Sequence, residues 1–245
     1  HVGMCRQANE DRYAIVPELG LYLVADGMGG HQAGQVASQL ACEAAIRAVE
    51  ALQGATVSLA ERLRHAVACA NREIFAAASA KPEFTGMGTT LVGLLFAGER
   101  LALAHVGDSR AYLVRQGRLR RLTDDHSIVA ELLRRQEISE EDAREHPHRH
   151  VLTRALGVRP RIEPDLAEMT PHADDVFILC SDGLITHLDD DQIAEQICAD
   201  RDLEEVAAGL VIPPTKRAAS TIRRFCWFDT RKRTERPSWH ARVLF

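Results

Sequence analysis

At 245 residues, with 46% hydrophobic and 27% charged side chains, the chain has the composition of an ordinary soluble globular protein, with enough length for a sizeable core. A formal net charge of −5 gives no electrostatic case for nucleic acid or a membrane surface, and no apolar run approaches the roughly 20 residues of a spanning helix. The six cysteines (Cys5, Cys42, Cys69, Cys180, Cys198, Cys226) are scattered with no CxxC pair, which argues against a zinc site and for a reducing, cytoplasmic compartment.

No signal peptide is legible, and the opening at His1 rather than an initiator Met leaves room for an upstream piece. The first apolar run, Leu21 to Ala25, reads as a short buried strand ending at Asp26. From Ala33 to about Leu52 the pattern turns helical and Ala-rich. A second helix follows, with Leu63, Val67, Ala70 and Ile74 recurring at i+4 and i+3. From Thr89 to Leu122 the chain changes period into short apolar or alternating segments broken by Gly98, Gly107 and Gly117, a β-meander with hairpin turns. Ser127 is a plausible N-cap for a helix to Arg135, and Glu137 to His150 reads as a polar surface excursion. Val176 to Cys180 is another buried strand, and two helical stretches follow, Asp190 to Ala199 and Asp202 to Val211. Strands mixed with helix pairs, without βαβ alternation, indicate an α+β fold: two antiparallel sheets face to face with helices outside. One domain is expected to about Val211.

Two acidic motifs share one architecture, an apolar strand that ends in Asp-Gly: VADGMGG (Asp26, Gly27) and LCSDGL (Asp182, Gly183). A strand end holds a carboxylate rigidly at the rim of a sheet, and the glycine lets backbone come close enough for a carbonyl or water to join the site. Hard oxygen ligands of this kind suit Mg²⁺ or Mn²⁺. A third motif, Asn9-Glu10-Asp11, could add outer-sphere carboxylates. A single Asp-Gly is most often only a turn; the combination is what carries weight. Gly86-Met87-Gly88-Thr89-Thr90 lacks the lysine and context of a phosphate loop and reads as a strand entry. No CxxxxxR loop is present, which removes a cysteine-phosphatase mechanism.

Taken in order, RQANED, LVADGMGG, GMGTT, HVGDSR, LTDDHS, HPHRHVLTRALG and LCSDGL resemble the successive signatures of the bacterial PPM (type 2C) metal-dependent protein serine/threonine phosphatases, from Val2 to about Val211. The resemblance implies an α-β-β-α sandwich with a binuclear Mn²⁺/Mg²⁺ centre at one end. It also implies hydrolysis of phosphoserine and phosphothreonine by a hydroxide bridging the two metals. Carried over, Asp26 bridges both metals, Gly27 ligates one through its carbonyl, Asp182 holds the second, and Glu10 and Asp11 act largely through waters. Asp108 matches the position of an accessory third metal. Arg6 matches the arginine that grips the substrate phosphate, a task suited to a bidentate guanidinium. Some members carry a His after the first Asp-Gly; here that residue is Met28, and His31 is not at the matching position. His146, His148 and His150 match a mobile flap rather than a zinc site. The partners implied are phosphoproteins, targets of a bacterial serine/threonine kinase in signal transduction, met by a monomer.

The resemblance stops after Val211. Family members close with a Gly-Gly-x-Asp-Asn turn, whose Asp serves the second metal, and an apolar strand. Residues 212–245 are strongly basic, and Asp229 is their one Asp. This tail is expected to be poorly ordered and the fold to lack its final strand. The genetic code suggests why. Pairing the third base of each codon with the first two of the next forces Leu, Leu and Val across Phe225 to Phe228. Permitted choices extend this to E-A-G-G-V-D-N-T-A-V-L-L-V-R-Y, the missing ending. A frameshift near Val211, in the gene or its reading, is therefore expected. The leading alternative to an active enzyme is a catalytically impaired phosphoprotein-binding module; a phosphatase for small esters ranks below both.

Overall fold

The structure, a computed structural model, describes residues 9–172, 175–185, 189–198, 228–229 and 242–244. Strand β1 (Asp11–Val16) pairs antiparallel with β2 (Leu21–Met28), which is buried on both faces. That double burial explains why its sequence is continuously apolar rather than alternating. Leu21, Leu23 and Ala25 face one core cluster, while Tyr22 and Val24 face another. β3 (Gly88–Thr89) pairs with the end of β2. β4 (Leu91–Ala97) and β5 (Arg100–Val106) repeat the pattern. Leu101 and Leu103 enter the second cluster, and the small Ala102 and Ala104 enter the first.

Those small residues let two long helices lie close. Helix α1 (His31–Ala51) buries Ala37, Ala41, Ala44 and Ala48, and α2 (Leu59–Ala80) buries Leu63, Val67, Ala70 and Ile74 against the same cluster. Ser58 caps α2 by accepting from the Glu61 N–H at 3.1 Å. The second sheet is built on β6 (Arg110–Arg115), β7 (Arg118–Arg121) and β9 (Val176–Cys180), while β8 (Asp165–Met169) completes the first sheet beside β5. The sheets pack face to face across an edge-to-face contact of Phe96 in the first with Phe177 in the second at 5.7 Å, and Tyr22 of the first sheet packs edge-on against the same Phe96 at 5.6 Å. The four-layer architecture expected from the motifs is the one observed.

Several expectations need correction. The meander does not stay in one sheet: β4 and β5 belong to the first and β6 and β7 to the second, with the crossing at Gly107–Ser109. Gly107 has φ +109°, and a Cβ there would meet Thr90 Cγ2 at 2.5 Å, so the crossing needs glycine. The polar excursion contains a helix, α4 (Glu140–Glu145), after α3 (Ile128–Arg134). Ser139 and Asp142 close a reciprocal capping box that nucleates it without an apolar stripe. β9 ends at Cys180 rather than at the Asp-Gly, and Asp182 opens a short helix, α5 (Asp182–Ile185), with α6 (Asp190–Cys198) following.

The place of the missing final strand is covered in part. β10 (Phe228–Asp229) pairs with β11 (Arg242–Leu244), and β11 runs parallel to β9 with Val243 opposite Phe177. An exposed edge of unpaired backbone groups is a template for any chain within reach, and this stretch of the basic tail takes it. It reaches only Val176, Phe177 and Ile178 of β9. The helix expected at Asp202–Val211 lies outside the described residues.

Candidate active site

The β1–β2 register sets Asp11 directly opposite Asp26. Asp26 is held from its own backbone: its N–H donates to Thr90 Oγ1 at 2.9 Å, and its carbonyl accepts from Thr90 N–H at 2.9 Å and from Thr89 Oγ1 at 2.8 Å. Gly27 allows α1 to close over this strand, since a Cβ there would lie 2.0 Å from the Gly34 carbonyl oxygen. The Glu10 carbonyl accepts from Gly27 N–H at 3.2 Å and from Ser38 Oγ at 2.5 Å, which fastens the segment carrying Glu10 and Asp11. Asp182, at the exit of β9, comes beside Asp26 from the opposite sheet, and Ser181 Oγ bonds Asp11 Oδ2 at 3.3 Å.

The electrostatics show how close these groups are. Burial holds the Asp26 carboxyl well above the usual carboxylate range, and the charges of Asp11, Asp182 and Asp108 push it further. Asp108 is pushed up to about 7, by burial first, then by Asp182 and Asp125. Four carboxylates thus converge from β1, β2, the crossing after β5 and the end of β9. The Arg110 guanidinium, which acts on Asp108, is engaged elsewhere, in a fork on Asp125 at 2.9 and 2.6 Å. Such a set is unfavourable when ionised together and is relieved by a divalent cation.

A carboxyl whose folded pKa is raised contributes stability fully present below its ordinary value and lost as pH rises through the folded one. In chelator, the stability of the parent relative to Asp108→Asn is therefore expected to fall between 3.8 and about 7. Denaturant midpoints of the two proteins across that window test this; a constant difference would contradict it.

Arg110 and Asp125 were not legible as a unit, although GDSR and LTDDHS contain them. Their side chains are only 17% and 12% exposed. Arg110 also donates to the Tyr112 hydroxyl at 3.1 Å, which in turn donates to Asp190 Oδ1 at 2.9 Å. Asp125→Ala removes both arms of this fork and leaves the guanidinium only the longer ion pair with Asp190 at 3.7 Å and the Tyr112 hydroxyl; it is expected to cost about 3 kcal/mol, measured by denaturant unfolding against Asp125→Asn.

Of the residues expected at the site, Glu10, Asp11, Asp26, Gly27, Asp108 and Asp182 are gathered at one end of the sandwich, whereas Arg6 lies outside the described residues. A cleft of about 1210 Å³ runs from Asp108 and Asp182 to α3 and α4, the region matched to the flap. His146, His148 and His150 lie in the loop after α4, and no metal-binding grouping among the described residues includes them. Cys42, Cys69 and Cys180 are free thiols.

An α-β-β-α sandwich with carboxylates converging at one end is the architecture of the metal-dependent phosphatases that the motifs resemble. Residues 5–208 match the protein phosphatase 2C family. The serine/threonine phosphatase stp of Listeria monocytogenes is 40% identical over 214 residues, 84% of this chain and 83% of that protein. The serine/threonine protein phosphatase PstP of Mycobacterium tuberculosis is 41% identical over 195 residues, 80% of this chain and 37% of PstP. The crystal structure of Mycobacterium tuberculosis PstP/Ppp superposes with a TM-score of 0.78 at 39% identity, covering 86% of this chain and 87% of that one. A structure of the PstP catalytic domain in complex with two manganese ions gives 0.74 at 38% identity, covering 86% of each. The chain belongs to the protein phosphatase 2C family.

Proposed function

We propose that this chain hydrolyses phosphoserine and phosphothreonine in proteins, using two divalent cations, Mn²⁺ or Mg²⁺. Asp26 would hold both, Asp182 and the Gly27 carbonyl would each hold one, and Glu10 and Asp11 would act through water. Asp108 would hold an accessory third ion. The convergence of Asp11, Asp26, Asp108 and Asp182 carries this reading, because like charges brought together at one rim call for cations. When bound, the ions neutralise phosphate charge and supply a nucleophile from water at neutral pH. The chain's own residues fix where that happens: Thr89 and Thr90 hold the Asp26 backbone, and Ser38 holds that of Glu10.

The cleft favours a protein substrate. At about 1210 Å³ it exceeds the roughly 300–1,000 Å³ of small-molecule pockets, and α3 and α4 form its far wall. The substrates are phosphoproteins phosphorylated by a bacterial serine/threonine kinase, and the enzyme acts as a cytoplasmic monomer. Among the described residues no helix is long and apolar enough to cross a membrane.

Arg6 grips the substrate phosphate in this reading. Arg6→Ala is expected to raise KM for a phosphopeptide by about 10- to 100-fold, the loss of one charge-assisted contact worth about 1.5–3 kcal/mol, with Mn²⁺ affinity unchanged. Mn²⁺ affinity lost at constant KM would move Arg6 to the metal scaffold.

We infer as well that residues 212–245 are the product of a frameshift near Val211. The family match ends at residue 208, in step with the point where the motifs stop. Resequencing the coding DNA across Val211 tests this directly: a lost or gained base supports it, and an intact frame removes it.

A further inference from the structure

Outside the carboxylate centre, the most unusual grouping among the described residues is His105, His126 and Asp165, whose ligand-type atoms lie within 4.8 Å of one another. His105 and Asp165 are direct cross-strand partners on β5 and β8, on the face that looks into the space between the sheets. His126 stacks on His105 with ring centres 4.5 Å apart. At first sight this is a two-histidine, one-carboxylate metal site. The hydrogen bonds exclude it. The Gly107 N–H donates to His126 Nδ1 at 3.1 Å, so Nδ1 carries the lone pair and, in the neutral ring, Nε2 carries the proton. Nε2 faces Asp165 Oδ2 at 3.0 Å and donates to it. No lone pair of His126 is left for an ion.

The same bonds point to a different task. His126 and Gly107 are tied twice, because the His126 N–H also donates to the Gly107 carbonyl at 2.8 Å. Gly107 is the crossing residue immediately before Asp108. The His126 carbonyl in turn accepts from Thr153 N–H at 2.8 Å, at the far end of the segment that carries α3 and α4. On its outer side Asp165 Oδ1 accepts from Arg154 Nη1 at 2.6 Å, which fixes the carboxylate that fixes the imidazole.

We propose that His126 is a positioning residue. Through Gly107 it sets the backbone that carries the Asp108 carboxylate, and it joins that backbone to the base of the flap. The proposal rests on Asp108 being a metal ligand, as in the functional reading above. His126 is buried with 1% exposure, and burial lowers its pKa, which keeps the ring neutral and the Nδ1 lone pair available. Asp165, Asp125, Arg154 and His105 are the charged or titratable groups that face it.

The test pairs two isosteric variants with a direct reading of the tautomer. His126→Asn places an acceptor where Nδ1 stood, and His126→Gln places its polar end where Nε2 stood. Mn²⁺ binding is measured by calorimetry without substrate, beside Asp108→Ala. His126→Gln is expected to weaken the same Mn²⁺ step that Asp108→Ala removes, by about 10- to 100-fold, as for loss of an outer partner of a ligand. His126→Asn is expected to retain it. Equal behaviour of the two variants would overturn the proposal. In the unsubstituted protein, imidazole nitrogen NMR should show Nε2 protonated and Nδ1 bare, with the Gly107 amide protected from exchange. This holds even if a variant fails to fold, and the opposite tautomer would overturn the clamp by itself. If Asp108→Ala leaves Mn²⁺ binding unchanged while the tautomer is as stated, the assignment of Asp108 falls and takes the positioning role with it, but the clamp stands.

Discussion

Asp26→Ala is expected to abolish Mn²⁺-dependent turnover of a phosphothreonine peptide, by more than about a thousandfold. A metal ion supplies several kcal/mol of charge stabilisation, and each tenfold in rate is about 1.4 kcal/mol. Asp26 is assigned to both cations, so no other single carboxylate has as much to lose. The substitution also removes the most strongly compressed charge of the rim. Burial and three neighbouring carboxylates all hold its pKa up, so at neutral pH in chelator the variant should be at least as stable as the parent. Loss of activity with stability retained would separate a role in metal binding from a role in folding. Turnover within about tenfold of the parent, a loss of only about 1.4 kcal/mol, would remove Asp26 from the assignment.

Restoring the ending E-A-G-G-V-D-N-T-A-V-L-L-V-R-Y after Pro214 is expected to raise thermal stability and Mn²⁺-dependent turnover together. As the chain stands, β11 pairs with only three residues of β9. An apolar strand such as TAVLLV would bury several large side chains, each worth roughly 1.5–3 kcal/mol when fully covered. The Asp of the restored turn would add a carboxylate for the second cation. Both effects come from one segment, so the melting temperature and the rate at limiting Mn²⁺ should rise in the same protein. If the chain as written matched the restored one in both, the frameshift inference would be wrong. The strand Arg242–Leu244 would then be a sufficient closure of the sheet.

The elements that were legible are those whose burial imposes a period. β2 and β9 read as continuous apolar runs because both their faces are covered, and α1 and α2 showed their small-residue stripes because they lie on a sheet. β1 and β8 were not legible: DRYAIV and DLAEM mix charge with apolar residues at edge or near-edge positions. Helix α4 rests on its capping box rather than on an apolar face, and six residues are too few to show a period. The carboxylates of the site were visible because each sits at a strand end in a motif. What supports them was not. Asp125 reaches Arg110 across fifteen residues of sequence, and His126 reaches Gly107 across nineteen. Neither spacing corresponds to a helix or strand repeat, because both pairs form where the chain leaves one sheet for the other.

The most direct measurement of the central assignment is anomalous diffraction at the manganese edge from crystals grown with Mn²⁺. Two peaks are expected to share the Asp26 carboxylate, with Asp182 at one and the Gly27 carbonyl at one. The ion served by Asp182 should be the less occupied, because the closing Asp is missing from the tail. Two peaks elsewhere on the chain, or none at the rim where Asp11, Asp26, Asp108 and Asp182 converge, would contradict it.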